Sequence, residues 1–261
     1  MTTHLYCLLP HDLRASIPPG LSGVNGALVR AIPVDRIIAW VSDVVYEVPN
    51  LTLFEGGSSP PPYWPAVQAH DAVVEAALET GSTPAPARFG QRFDDDAACA
   101  AAIASRAASV ESLLADIQGC VEMTLIVTPS TRRMIRDLEP VIPEIFEPEV
   151  RGAGRKYLET LRRREAVTGA VKEGIDEIAR VLNDAVGGLV RRAAVHDSVT
   201  PLPLRTISHL IARRDAAQYK EAVSGVQAGR EFRFLVIGPR APYSFSGLSS
   251  SGGAHGMKLA D

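Results

Sequence analysis

The sequence predicts an α+β fold in two domains, and three observations carry that expectation. The 261 residues, 46% of them hydrophobic and 22% charged, suit one large domain or two small ones with a sizeable core. Short apolar runs of strand character alternate with segments whose apolar residues recur at three and four. Their order is β, β, α, β, α in the first half and β, α, β, α, β in the second, which puts helices on one face of small, largely antiparallel sheets. The expected domains are residues 1–118 and 119–246, with residues 247–261 a flexible tail.

The first strand is His4 to Leu9. Leu5, Cys7 and Leu9 alternate there with His4, Tyr6 and Leu8, and Pro10 ends the run. Residues 11–35 carry Pro18-Pro19-Gly20, Gly23 and Gly26 and are expected to be mostly loop. Ile37 to Val48, rich in β-branched and aromatic residues, reads as the second strand. Residues 49–65 follow as a long connection with Gly56-Gly57-Ser58-Ser59 and Pro60-Pro61-Pro62, and loops of that length are usually mobile or functional. Pro65 suits the first turn of a helix, where its missing N–H has no bond to lose. That helix runs to about Glu79 with Val67, His70, Val73, Val74, Ala77 and Leu78 on one face, and Gly81 stops it.

Ala87 to Phe93 reads as a short strand. Asp94, Asp95 and Asp96 suit the N-cap and first turn of the next helix, where carboxylates accept from free N–H groups and oppose the positive dipole end. In that helix Ile103, Ala107, Val110, Leu114 and Ile117 recur at three and four, and Gly119 closes it. Val121 to Thr128 is a strand with Val121, Met123, Leu125 and Val127 on one face. Pro129, Pro140, Pro143 and Pro148 leave room for only one or two helical turns before residue 150. A long helical region then runs from Arg151 through Ile175, Ile178, Leu182, Val186 and Leu189, weakened at Gly169, Gly174 and Gly187-Gly188. Leu202 to Ala212 reads as a strand, and Asp215 as the cap of a helix from Ala216 to about Val226. Glu231 to Ile237 is the last strand, with Phe232, Phe234 and Val236 facing away from Arg233, Leu235 and Ile237. From Ser246 onward the residues are small and polar, bury too little to offset their ordering entropy, and are expected to be mobile.

Charge and composition exclude several classes. A net charge of −3 gives no reason to expect nucleic acid or an anionic membrane as partner. No apolar run approaches the ~18 residues of a membrane span, and no basic and apolar leader opens the sequence. The expectation is a soluble, cytoplasmic protein. The three cysteines, Cys7, Cys99 and Cys120, are odd in number and set in apolar surroundings, so they read as reduced core residues rather than as a disulfide frame or zinc site.

Reactive constellations do not emerge from the spacing. The six histidines (His4, His11, His70, His196, His209 and His255) form no i, i+4 pair and no HExxH motif. His70, on the buried face of its helix, reads as a hydrogen-bonded structural residue. Gly152-Ala153-Gly154 precedes a helix but lacks the third glycine and the preceding strand of a dinucleotide fingerprint. Ser249-Ser250-Ser251 lies in the tail, where no nucleophile is held in register, and there is no Gly-x-Ser-x-Gly elbow. No catalytic residue, cofactor or metal ligand is expected.

Two stretches read instead as surfaces for other proteins. Arg151, Arg155, Lys156, Arg162, Arg163 and Arg164, interleaved with Glu159 and Glu165, form a solvated or protein-docking helix face, with Arg155 and Glu159 at i, i+4 spacing. Only Tyr157 is near enough to stack a base, too little for nucleic-acid binding. Tyr243 and Phe245 follow Pro239 and Pro242 at the end of the folded region, where some exposure is expected, and an exposed aromatic edge is a typical docking element. The candidate protein-docking residues are therefore Tyr243, Phe245, Arg155 and Tyr157.

Several segments occur in an order that resembles a known family. The strand His4 to Leu9 is followed by His70-Asp71-Ala72-Val73, then by Pro86-Ala87-Arg88-Phe89-Gly90 and Gly119-Cys120-Val121-Glu122-Met123. Gly154-Arg155-Lys156-Tyr157-Leu158 and a terminal Gly-Pro-x-x-Pro-Tyr-Ser-Phe complete the series. Together they resemble the gas vesicle protein GvpL/GvpF family over residues 3 to 247. Two places depart from its pattern: Ala87 changes the apolar residue before Arg-Phe-Gly, and Cys120 stands where a lysine is common after the glycine. The resemblance implies an N-terminal α/β domain and a ferredoxin-like C-terminal domain. It implies an accessory or minor structural role in building gas vesicles, the protein-walled buoyancy organelles. It also implies contacts with the small hydrophobic shell protein and other accessory proteins, and no catalysis. It leaves the F-type and L-type roles open. The alternative is a small-molecule-binding regulator or enzyme with a pocket between the domains, lined by residues such as His70, Arg88 and His209. RNA binding by a ferredoxin-like sheet is a third reading.

Overall fold

The computed structural model describes residues 2–11, 16–45, 63–130, 153–196, 204–226 and 231–247, and of residues 153–161, 163 and 164 the backbone only. The expected connection before Tyr63, the proline-interrupted stretch after Ser130 and the tail beyond Gly247 lie outside the described residues. The fold is a mixture of helices and two sheets. The chain divides into two compact units, Met1–Glu122 with Pro239–Asp261, and Met123–Gly238.

The first unit is built on β1 (Thr2–Pro10), β2 (Arg30–Val34) and β3 (Ile37–Val44). After the helix α1 (Trp64–Glu79) come two-residue strands, β4 (Ala85–Pro86) and β5 (Arg92–Phe93), and then the helices α2 (Asp96–Ala104) and α3 (Ala107–Ile117). The sheet order is β2-β3-β1-β4, with β5 also on β1, and every one of these pairs is antiparallel. Thr3 to Leu9 of the central β1 are all buried. A strand covered on both faces has no use for polar alternation, which is why Leu5-Tyr6-Cys7-Leu8-Leu9 is apolar throughout. The register to β3 slips between Leu5 and Cys7, leaving Tyr6 as the extra residue of a β-bulge. Cys7, Cys99 and Cys120 are buried with free thiols.

Three expectations are corrected here. The loop expected over residues 11–35 ends at Val29, because β2 follows it and a turn at Asp35-Arg36 joins β2 to β3. Ile32 and Val34 face inward while Ala31 and Pro33 face outward, and the proline is tolerated because β2 is an outer strand. Ala87 to Phe93 is not one strand: β4 and β5 flank a turn in which the Gln91 N–H donates to the Arg88 carbonyl at 3.0 Å. Gly90 takes φ 87 in that turn, a conformation that favours glycine. The single amphipathic helix is two helices meeting at 78°. Ser105 ends α2 by donating its hydroxyl to the Ala102 carbonyl at 2.8 Å, a local bond that competes with helix continuation. The expected acidic cap is present, since the Asp95 carboxylate accepts from the Ala98 N–H at 2.7 Å.

The strand β6 (Cys120–Pro129) leads into the second unit. There follow α4 (Ala153–Val186), β7 (Val190–His196), β8 (Arg205–Ala212), α5 (Ala216–Ser224) and β9 (Phe232–Arg240). The sheet order is β7-β8-β6-β9, with β7 antiparallel to β8. On α4, Val171, Ile175, Ala179, Leu182 and Val186 are buried, spaced to form one stripe. They share the core with Leu125, Val127, Ile207, Ile211, Tyr219 and Val223. Each fully buried aliphatic side chain there contributes about 1.5–3 kcal/mol by leaving water. β7 is a second strand that the sequence reading left out. Its adjacent Arg191 and Arg192 are both exposed, so the run shows no clean alternation.

Candidate functional site

Two clusters in the first unit gather the polar and aromatic residues that the sequence singled out. The first is buried. His4 of β1 and His70 of α1 meet with 2.9 Å between Nε2 and Nδ1, and His70 Nε2 lies 3.2 Å from the Ala87 carbonyl. A carbonyl accepts only, so His70 donates from Nε2 and takes the His4 N–H on Nδ1. Burial is the main cause that lowers His4 to about 3 and His70 to about 4, so both rings are neutral near pH 7. Phe89 sits edge-on to both, at centroid distances of 6.0 and 5.8 Å. Beside them the Tyr6 phenol accepts the Val24 N–H at 2.8 Å and shares a 2.7 Å bond with the Ser42 hydroxyl. This is a buried, hydrogen-bonded core network. His209, in the second unit, is likewise buried and bonds to the Tyr219 hydroxyl at 2.7 Å.

The second cluster is the terminal Gly-Pro-x-x-Pro-Tyr-Ser-Phe stretch. Asp71 and Glu75 lie one turn apart on α1 and both meet Arg240. Its Nη2 pairs with Asp71, and its Nε lies 3.6 Å from Glu75 Oε1. The Ala241 N–H donates to Glu75 at 3.2 Å. On β6, the two carboxylate oxygens of Glu122 accept from the Ser244 N–H and hydroxyl, each at 2.8 Å. Burial raises the Glu75 carboxyl above its ordinary value, and burial with the nearby Asp71 charge raises the Tyr243 phenol.

Of the exposure expected at Tyr243 and Phe245, that of Phe245 is corrected. Phe245 is 4% exposed and Tyr243 is half-buried. Pro242 opens a tight 3₁₀ turn over Tyr243–Phe245, closed by the Phe245 N–H on the Pro242 carbonyl at 3.1 Å, and the chain folds back instead of trailing outward. Ala241 and Ser246 are buried with it. The α4 backbone carries Arg155 and Tyr157, whose side chains lie outside the described residues. Sequence reasoning missed Asp71, Glu75 and Glu122 as partners of this stretch; the i, i+4 acidic pair on α1 was the available signal.

The second unit presents Val195 on β7 and Leu235 on β9, each 56% exposed, on the two outer strands of its sheet. Among the described residues no group of three or more His, Cys, Asp or Glu is placed to hold a metal ion. Nor is any single helix among them long and apolar enough to cross a membrane.

These features define a mixed α/β protein of two sheet-and-helix units, the first completed by its own C-terminal segment. The family model for gas vesicle synthesis protein GvpL/GvpF matches residues 2–247, and the chain belongs to that family. Two solved structures share the fold. The crystal structure of gas vesicle protein GvpF from Microcystis aeruginosa is 17% identical with a TM-score of 0.65, over 94% of this chain and 98% of that one. That of GvpF from Anabaena sp. PCC7120 is 17% identical with a TM-score of 0.67, over 97% and 99%. No curated protein matches the sequence.

Proposed function

We propose that this protein is an accessory or minor structural component of gas vesicle assembly, working in the cytoplasm and at the vesicle without catalysing a reaction. It binds the small hydrophobic shell protein and other accessory proteins. The observation that carries this reading is the family match across residues 2–247. The physical reasoning is that a shell subunit that lines a gas space with apolar surface is an aggregation hazard before assembly. A partner with apolar side chains on outer strands offers it a docking place, and Val195 and Leu235 are of that kind. The first half of α4, which carries Arg155 and Tyr157, is a second docking place for accessory partners. The second unit is read as a ferredoxin-like domain, supported by the order β7-β8-β6-β9 with helices after its first and third strands.

Co-purification of the shell protein with the tagged full chain, co-expressed, tests the reading. Capture by the parent chain, reduced in a Val195→Ser, Leu235→Ser double variant of unchanged circular dichroism, is the expected result. No capture by the parent chain overturns shell binding; equal capture by both removes the outer-strand site.

A further inference from the structure

The first unit is made of two pieces, and residues 239–247 bring the second piece back to the first after the whole of the second unit. The bonds that hold it are mostly charged. Arg240 meets Asp71 and Glu75, and Ser244 meets Glu122. The side chains of Arg240, Asp71 and Glu75 are 42%, 32% and 31% exposed, so water and salt compete for these pairs. Ala241, Pro242 and Phe245 supply a short apolar grip, and the half-buried Tyr243 phenol bonds to Asp71. Gly238, inside β9, takes φ 125 and Gly247 takes φ 62, conformations that favour glycine, and β9 ends at Arg240, where the segment leaves the sheet. A short segment beyond the last strand, held by partly exposed ion pairs, the Glu122 bonds and a small apolar contact, opens more easily than the core it rests on.

We infer that residues 241–247, beyond the end of β9, form a releasable strap, held shut where Asp71 and Glu75 clasp Arg240 and where Glu122 binds Ser244, which presents Tyr243 and Phe245 to a partner's apolar surface when it opens. The choice of partner rests on the shell-binding reading above; the opening itself does not. Aromatic rings stored inside the protein are offered only when the clasp lets go, which protects the free protein from self-association.

Hydrogen exchange on the full chain measures the opening with no partner present. In Arg240→Gln and in the Asp71→Asn, Glu75→Gln double variant, the amides of residues 241–247 are expected to exchange about tenfold faster or more, with β1 and β3 unchanged. Unchanged exchange in 241–247 overturns the charge-held strap. Equal acceleration across β1 and β3 also overturns it, because the segment is then an inseparable part of the core. Presentation is tested by shell-protein capture. Arg240→Gln is expected to raise capture about threefold, and adding Tyr243→Ser and Phe245→Ser to return it to the parent level. Fast exchange without a rise in capture overturns presentation, whereas no capture by any form counts against the shell-binding reading.

Discussion

The Tyr6 phenol stands so close to Gly23 that a Cβ on residue 23 would lie 2.0 Å from its oxygen. That oxygen is fixed from two other sides, by the Val24 N–H at 2.8 Å and the Ser42 hydroxyl at 2.7 Å. Tyr6 is fully buried, so the ring has no room to swing aside. Gly23→Ala is therefore expected to lower stability by about 1–3 kcal/mol through overpacking, read from the urea midpoint. Gly174 makes a contrast. A Cβ there would lie 2.3 Å from the tip of the Phe232 ring, but that ring is only half-buried and can turn. Replacing a helical glycine by alanine also gains about 1 kcal/mol of helix propensity. Gly174→Ala is expected to be near neutral, and a loss as large as that of Gly23→Ala would contradict this account.

The histidines set an acid limit. His4, His70 and His209 are held at about 3, about 4 and about 4 in the fold, all below their ordinary 6.5, chiefly by burial. Between those values the unfolded chain binds protons that the folded protein does not, so stability is full above pH 6.5 and falls as pH drops toward 4. The expected slope is up to about 1.4 kcal/mol per pH unit for each histidine. His70→Asn, which removes one of these titrations, is expected to flatten the dependence of the urea midpoint between pH 6.5 and 4.5. A curve as steep as the parent's would show that the ring is not the neutral buried group described.

The thiols are expected to be silent in the native state. Cys7, Cys99 and Cys120 are buried, and burial with the nearby Asp96 charge pushes Cys99 up to about 12. A disulfide reagent at pH 8 is expected to label none of the three in the folded protein and all of them in urea. Rapid labelling of one cysteine without denaturant would indicate local opening at that site.

Asp95 offers the smallest test. Its carboxylate caps α2 through the Ala98 N–H at 2.7 Å. Asp95→Ala is expected to cost about 1 kcal/mol by thermal or urea unfolding, and Asp95→Asn much less, because the amide oxygen still accepts. Equal losses would mean that charge, not capping, is what Asp95 supplies.

What the sequence made legible was local. The unbroken apolar run of β1, the buried face of α1 and the acidic start of α2 each follow from residues within a few positions of one another. β2 and β7 escaped because Pro33 interrupts one and Arg191-Arg192 the other. Both are outer strands, where a neighbour on one side leaves room for residues that an inner strand excludes. The break between α2 and α3 escaped because the apolar spacing continues through it, so only the back-bonded hydroxyl of Ser105 marks the place. The burial of Phe245 was least legible. The segment's partners lie 169, 166 and 122 positions away, at Asp71, Glu75 and Glu122, and no nearby pattern encodes them. The family resemblance was legible for the opposite reason, since it rests on the order of short motifs along the whole chain.

The split composition of the first unit also bears on how it is made. A ribosome delivers residues 1–122 early, but Arg240, Ser244 and Phe245 emerge only after the intervening Met123–Gly238 has been translated. At about 5–20 residues per second that delay is on the order of ten seconds. Throughout it the nascent N-terminal half waits with the resting place of Phe245 uncovered and Asp71 and Glu75 unneutralised. A message cut short before the codons for Arg240 to Phe245 would leave that half unfinished, and chaperones and proteases would meet it in that state.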